Sequence, residues 1–277
     1  MTILITTPRG KVGSELVPLL VEARVPIRLA AHSVEATKAR FPGLDIVPFS
    51  HLDPKTWSAA LSGIDTVYLA SPGDSAPGPE QAFIDEAKKS GVKKIVKLSA
   101  KGVEHGDSPL RQVEKHLEAS GLAYTLIRPT WFHQNYANQS AAAIKAGRLA
   151  EPAGTGKTAF IDTRDIAAVT AAALVGKEHD GKAYALTGPE ALDRHEVAAI
   201  LTKELGRTVT YQPLTDEEFR AAARDFLSPA YLELLSALYG FVRSGATAEV
   251  TEDVQKVLHR KPIGFAEFAH RARAAWT

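Results

Sequence analysis

Short apolar runs and amphipathic runs alternate along the first half of the chain. Residues 2–7, 24–32, 44–50, 65–72, 93–100 and 123–129 are short runs built on an apolar stretch, the pattern of strands buried on both faces. Between them, 14–23, 33–41, 54–63, 80–91 and 109–121 repeat apolar residues at helical spacing. This alternation predicts an α/β fold in which helices cover both faces of a parallel sheet. Right-handed crossovers give the doubly wound order 3-2-1-4-5-6, with ligands at the carboxyl ends of the strands. After Pro129 helical runs dominate, at 165–176, 194–206, 216–227, 229–240 and 265–276, with short strands at 183–188 and 208–214.

The entry to this pattern carries the first chemistry. MTILITTPRGKVG and the run after it make a strand, a Gly-containing turn and an amphipathic helix, the opening unit of a Rossmann-like, dinucleotide-binding fold. A first helical turn has unpaired N–H groups and a partial positive charge that suit a pyrophosphate. Glycine lets the backbone approach the phosphates and lets the helix pack closely on its strand. The expected cradle is Thr7, Arg9, Gly10, Lys11, Val12 and Gly13. A full GxxGxxG in this register would have glycine at 7, 10 and 13, but position 7 is threonine. Its β-branched side chain stands where the turn runs closest to the phosphates. The cofactor then sits differently, binds weakly or no longer binds; if the site is merely weakened, Thr7→Gly tightens it. The predicted division is a dinucleotide-binding domain over 1–130 and a smaller, mostly helical C-terminal substrate region over 131–277, partly woven back into the sheet.

Composition narrows the classes. A chain of 277 residues, 45% hydrophobic and 23% charged, is long enough for a large core. A formal charge of +1 supplies no field toward nucleic acid or acidic membrane. The absence of cysteine removes disulfides, thiol nucleophiles and thiolate metal sites, and no pair among the nine histidines has metal spacing. No apolar run reaches transmembrane length, and no signal-peptide pattern opens the chain. The expectation is a cytoplasmic protein, monomer or homodimer, with a small-molecule substrate and neither a nucleic-acid nor a membrane partner. GTGKT at 154–158 lacks the glycine of a phosphate loop, which here is Glu151, and reads as a polar turn. His195 and Glu196 lack the second histidine of a zinc helix. Asp162, Arg164 and Asp165 read as caps and ion pairs of the run that follows.

Several stretches together carry a resemblance: ILITTPRGKVGSELV, AKKSGVKKIVKLSA, LEASGLAYTLIRPTWFHQNY, AFIDTRDIAAVTAAAL and EVTEDVQKVL. Through them the chain resembles the NmrA-like group of atypical short-chain dehydrogenase/reductases, near the NAD(P)H:quinone oxidoreductases and triphenylmethane reductases. YTLIRPTWFHQN is the most specific phrase. The resemblance implies a Rossmann-type fold, an NADP(H)-type cofactor and a small aromatic or quinoid substrate held by the C-terminal part. It also marks departures. Thr7 replaces the group's first glycine, and His32 an arginine that meets the 2′-phosphate. Ser50 stands for an aspartate near the adenine. Leu110, with Arg111 beside it, stands for a lysine or histidine near the reacting carbonyl. None of the seven tyrosines has lysine four residues later.

The strand ends then place His32, Ser50, Ala70 and Ser71 with the cradle at the cofactor. They place Ala100, Leu110, Trp131 and Phe132 at the substrate, although Trp131 and Phe132 read equally well as core anchors. Ser99, Asn135 and Tyr136 are the polar groups able to orient or protonate the substrate. Arg9, Arg28 and His32 around the expected 2′-phosphate predict a preference for NADPH. Two functions stand open. One is an NAD(P)H-dependent reductase of a small aromatic, conjugated or quinoid molecule. The other is a protein of this group without redox catalysis, either a nucleotide-sensing regulator or a cofactor-independent cyclase, isomerase or dehydratase using the same cavity.

Overall fold

A computed structural model describes residues 1–71 and 77–277 of the chain. Strands β1 (Ile3–Thr6), β2 (Ile27–Ala31), β3 (Asp45–Pro48), β4 (Thr66–Leu69), β5 (Lys94–Leu98) and β6 (Ala123–Pro129) follow the expected alternation with helices. The short β7 (Arg148–Glu151) comes next, then β8 (Lys182–Leu186) and β9 (Thr210–Pro213). One sheet has the order β3-β2-β1-β4-β5-β6-β8, every pair parallel. The expected order therefore holds, with one strand more at the β6 edge. β7 and β9 pair in parallel as a separate two-stranded sheet. Strands are shorter than the apolar runs that announced them. β4 ends at Leu69, and Pro72, the last residue of that run, lies outside the described residues.

The chain divides into two compact units. Met1–Pro129 and Thr163–Leu186 form the sheet unit; Thr130–Asp162 and Thr187–Thr277 form the helical unit. The boundary read at 130 is thus only the first of three crossings. Helix Thr163–Val175 belongs to the sheet unit because it is apolar and small almost all round, burying Ile166, Ala167, Val169, Thr170, Ala173 and Leu174. Such a helix needs cover on most of its surface, and it packs along helix Gly13–Glu22, which buries Leu16, Val17 and Leu20. On the opposite face, Leu4, Val67, Leu69, Ile95 and Leu126 meet the helices carrying Trp57, Phe83, Ile84, Val113 and Leu117. Side chains alternate along a strand, so Leu4 faces this layer while Ile3 and Ile5 face the other.

The core of the helical unit is aromatic. Tyr136, Phe160, Phe265, Phe268 and Trp276 cluster there with Val197 and Leu201. Helix Arg194–Leu205 starts in a reciprocal capping box between Asp193 and Glu196 and ends at Gly206, φ 66°. The glycine of GTGKT at position 156 is a packing position: a Cβ there would stand 2.2 Å from the Val242 carbonyl oxygen.

Candidate functional site

Within the sheet unit, winding reverses between β1 and β4, which are neighbours while β2 and β3 lie on the other side of β1. A crevice opens at such a switch point. The buried Thr6 fixes its walls: its hydroxyl donates to Tyr68 O at 2.9 Å and accepts from the Ala70 amide at 2.9 Å. The cavity measures about 600 Å³ and is lined by Thr7 to Gly10, Ala30 to His32, Phe49 to Leu52, Ser71 and Glu80, among others.

The glycine turn forms the head of this crevice. Thr7 adopts φ 49°, a left-handed conformation costing an ordinary residue roughly 1–2 kcal/mol. Its carbonyl accepts from the Gly10 amide at 2.9 Å. A Cβ at Gly13 would sit 2.3 Å from that oxygen, and one at Gly10 3.1 Å from it. Only glycine fits at 13, and the bare backbone at 10 leaves the cradle open, so these residues fit a dinucleotide phosphate. Arg9 and His32 are exposed on the lining, whereas Val12 is buried as the N-cap of the following helix. Burial draws the half-buried Lys11 ammonium below its usual pKa. Ala70 is buried behind the wall, and the buried Ser71 hydroxyl has no hydrogen-bond partner among the described residues. Ser50 lines the crevice, but its hydroxyl accepts from Leu52 N and its carbonyl from the Trp57 indole.

Arg28 requires a correction. It lies near the start of β2, the end away from the crevice. Its Nε donates to Asp45 at 2.7 Å and its Nη1 to the Ser62 carbonyl at 2.7 Å. Of Arg9, Arg28 and His32, Arg9 and His32 therefore remain on the crevice.

Sequence reasoning missed the floor near β3. The His51 imidazole lies edge-on to Phe49, ring centres 4.8 Å apart, and no hydrogen bond reaches either nitrogen among the described residues. Burial lowers its pKa, Glu80 opposes and Lys97 adds to the lowering. Glu80 and Lys97 are themselves a buried pair at 2.9 Å, the lysine 1% exposed. A lysine in a strand run and a glutamate in a first helical turn look like solvated charges, and only their pairing across the β5–helix contact identifies them.

Of the expected polar groups, Ser99 follows β5 in the sheet unit, buried, its hydroxyl facing the Glu114 carboxylate without completing a hydrogen bond. Glu114 is fully buried and held by Arg128 at 2.7 and 2.9 Å and by Arg111 at 2.9 Å. Ala100 and Leu110 are half-buried in the same unit. In the helical unit, the 131–133 segment pairs with Ile161 through His133 N to Ile161 O at 2.8 Å and Ile161 N to Trp131 O at 2.9 Å. Trp131 is half-buried against Tyr239, ring centres 5.0 Å apart, and beneath the Arg194 guanidinium. Phe132 and Asn135 are half-buried. Tyr136 is corrected from proton donor to core residue. It is 2% exposed between Phe160 and Phe265, and its hydroxyl is buried without a partner among the described residues. Burial pushes its pKa far above the usual phenol range.

Sheet order, glycine cradle and crevice together define a Rossmann-like, dinucleotide-binding fold. The chain belongs to the NAD(P)H-binding family, whose sequence profile it matches over residues 9–177. It is 35% identical to the NAD(P)H azoreductase of Xenophilus azovorans, across 99% of both chains. It is 27% identical to an NADPH-dependent quinone oxidoreductase from Escherichia coli solved with NADPH, with a TM-score of 0.86, covering 99% of this chain and 100% of that one. The triphenylmethane reductase of a Citrobacter species shares the fold at 21% identity and TM-score 0.85, over 98% and 100% of the two chains. Among the described residues, no helix is long and apolar enough to cross a membrane and no group of side chains is arranged to hold a metal.

Proposed function

We propose that the protein is an NAD(P)H-dependent reductase that delivers hydride to a small aromatic, conjugated or quinoid acceptor. The observation that carries this reading is the cradle: bare backbone at Gly13, where a Cβ would collide with the turn, and at Gly10, where one would be held tightly against it, at the head of a crevice of about 600 Å³. When bound, the cofactor supplies the hydride. The chain's own residues position and shelter it. Gly10, Lys11, Val12 and Gly13 form the phosphate turn. Arg9 and His32 meet a 2′-phosphate, with Arg9 able to pair it bidentately and His32 adding charge only when protonated. Ser50, Ala70 and Ser71 border the remainder. Within the sheet unit, Ser99 is the polar group kept for orienting substrate, with Ala100 and Leu110 as the apolar ones. A reduced quinone takes its proton from water, so the burial of Tyr136 is compatible with turnover.

Titration with NADPH and NADH, followed by NADPH oxidation in the presence of an azo dye or a quinone, tests the reading. NADPH binding with acceptor-dependent oxidation is expected, and failure to bind either nucleotide overturns it. Arg9→Ala is expected to weaken NADPH about tenfold and NADH far less; equal losses reject the 2′-phosphate role. The apolar Leu110 and the buried Tyr136 also favour a second reading, a nucleotide-sensing regulator. NADPH binding without oxidation by any acceptor would support it.

A further inference from the structure

Thr7 is anomalous in two ways at once. A β-branched residue is among the least suited to a left-handed backbone, yet its φ is 49°. The turn demands that conformation, because the Thr7 carbonyl receives the Gly10 amide and closes against Gly13. Glycine at 7 would meet the same demand without strain. The side chain must therefore be explained separately from the backbone. Thr7 lines the crevice, beside Gly10: a Cβ built on Gly10 would stand 3.7 Å from both Cβ and Oγ1 of Thr7. One residue earlier, the Thr6 hydroxyl is fully engaged by Tyr68 and Ala70. The Thr7 hydroxyl is engaged by no described group. A strained residue held at a site wall points to use rather than to packing.

We infer that the Thr7 hydroxyl donates a hydrogen bond to a phosphate oxygen of the bound dinucleotide, and that the strained backbone is retained to present it. The inference rests on the dinucleotide reading above. A hydroxyl donor to an anionic oxygen is a charge-assisted bond, stronger than a neutral one. In a GxxGxxG turn the backbone approaches the phosphates directly; here a side chain extends to them, so the first glycine is replaced without losing the site. The same geometry opposes the simpler expectation that Thr7 merely obstructs binding.

The two accounts predict opposite results for one substitution. Thr7→Gly, Thr7→Val and Thr7→Ser in the full chain are titrated with NADP⁺ by calorimetry, and each is melted without ligand. Thr7→Gly is expected to melt higher than the unaltered protein, because strain is relieved, and to bind NADP⁺ about tenfold more weakly, a loss of about 1.4 kcal/mol. Thr7→Val, of the same shape but without the hydroxyl, should lose a similar factor, and Thr7→Ser should stay within about threefold. If Thr7→Val fails to fold, the Ser and Gly variants decide the matter between them. Thr7→Gly binding as tightly as the unaltered protein, or more tightly, overturns the inference and leaves the dinucleotide site standing. No NADP⁺ binding by any of the four proteins overturns both.

Discussion

At the scale of single residues, a side chain's type was readable and its surroundings often were not. Gly10 and Gly13 were legible as a phosphate turn from their spacing, and at Gly13 only glycine tolerates what the turn imposes: a Cβ there would stand 2.3 Å from the Thr7 carbonyl oxygen. Tyr136 looked like a donor because it is a titratable group just beyond a strand's carboxyl end. Position along the chain could not show that Phe160 and Phe265 enclose it. Arg28 likewise counted as a cation near the end of β2 until register placed it opposite Asp45. A buried hydroxyl without a partner costs stability, so Tyr136→Phe is expected to raise stability by about 1 kcal/mol in urea unfolding. Turnover should be unchanged. A fall of more than tenfold in kcat with no change in stability would return Tyr136 to the catalytic group.

At the scale of elements, the helices and strands of the sheet unit were legible from periodicity alone, since each has one dominant environment. Ion pairs between elements were not. Glu114 lies on a helix with an amphipathic pattern, and nothing local distinguishes it from the solvated Lys115 beside it. It is fully buried because Arg128 from β6 and Arg111 from its own helix reach it. Burial alone would raise its pKa; the hydrogen bonds from Arg128 and Arg111 outweigh that and hold it below the usual carboxylate value. Removing one charge from such a group leaves buried guanidinium poorly compensated. Glu114→Gln should therefore cost roughly 3–5 kcal/mol in equilibrium unfolding, far more than Lys115→Gln, which removes only an exposed partner of Asp107. Equal effects of the two substitutions would show that the clamp contributes no more than a surface pair.

For the whole molecule, pH separates two classes of contribution. Burial lowers the pKa of His51 and of His179. Below the ordinary histidine value of 6.5 the unfolded chain therefore takes up protons before the folded one, and stability falls as pH drops toward the folded values. Glu114 acts in a lower window: its contribution is complete above the ordinary glutamate value of 4.5 and is lost as pH falls through its depressed folded value. The melting temperature should begin to decline as pH falls below about 6.5, before any carboxylate contributes, with a second decline below about 4.5. His51→Leu should reduce the first decline, leaving the part that His179 carries, and leave the second. An unchanged first decline in that variant would show that His51 does not carry it.

The return of 163–186 to the sheet unit also bears on how proteins of this kind exchange parts. A gene cut once at 130 and joined to the second half of a relative would not import a helical unit alone. It would bring a foreign helix Thr163–Val175 to lie on the resident Gly13–Glu22, and a foreign edge strand to pair with resident β6. Hybrids that exchange the helical unit alone therefore need two inserted segments, 130–162 and 187–277, with the native stretch between them kept.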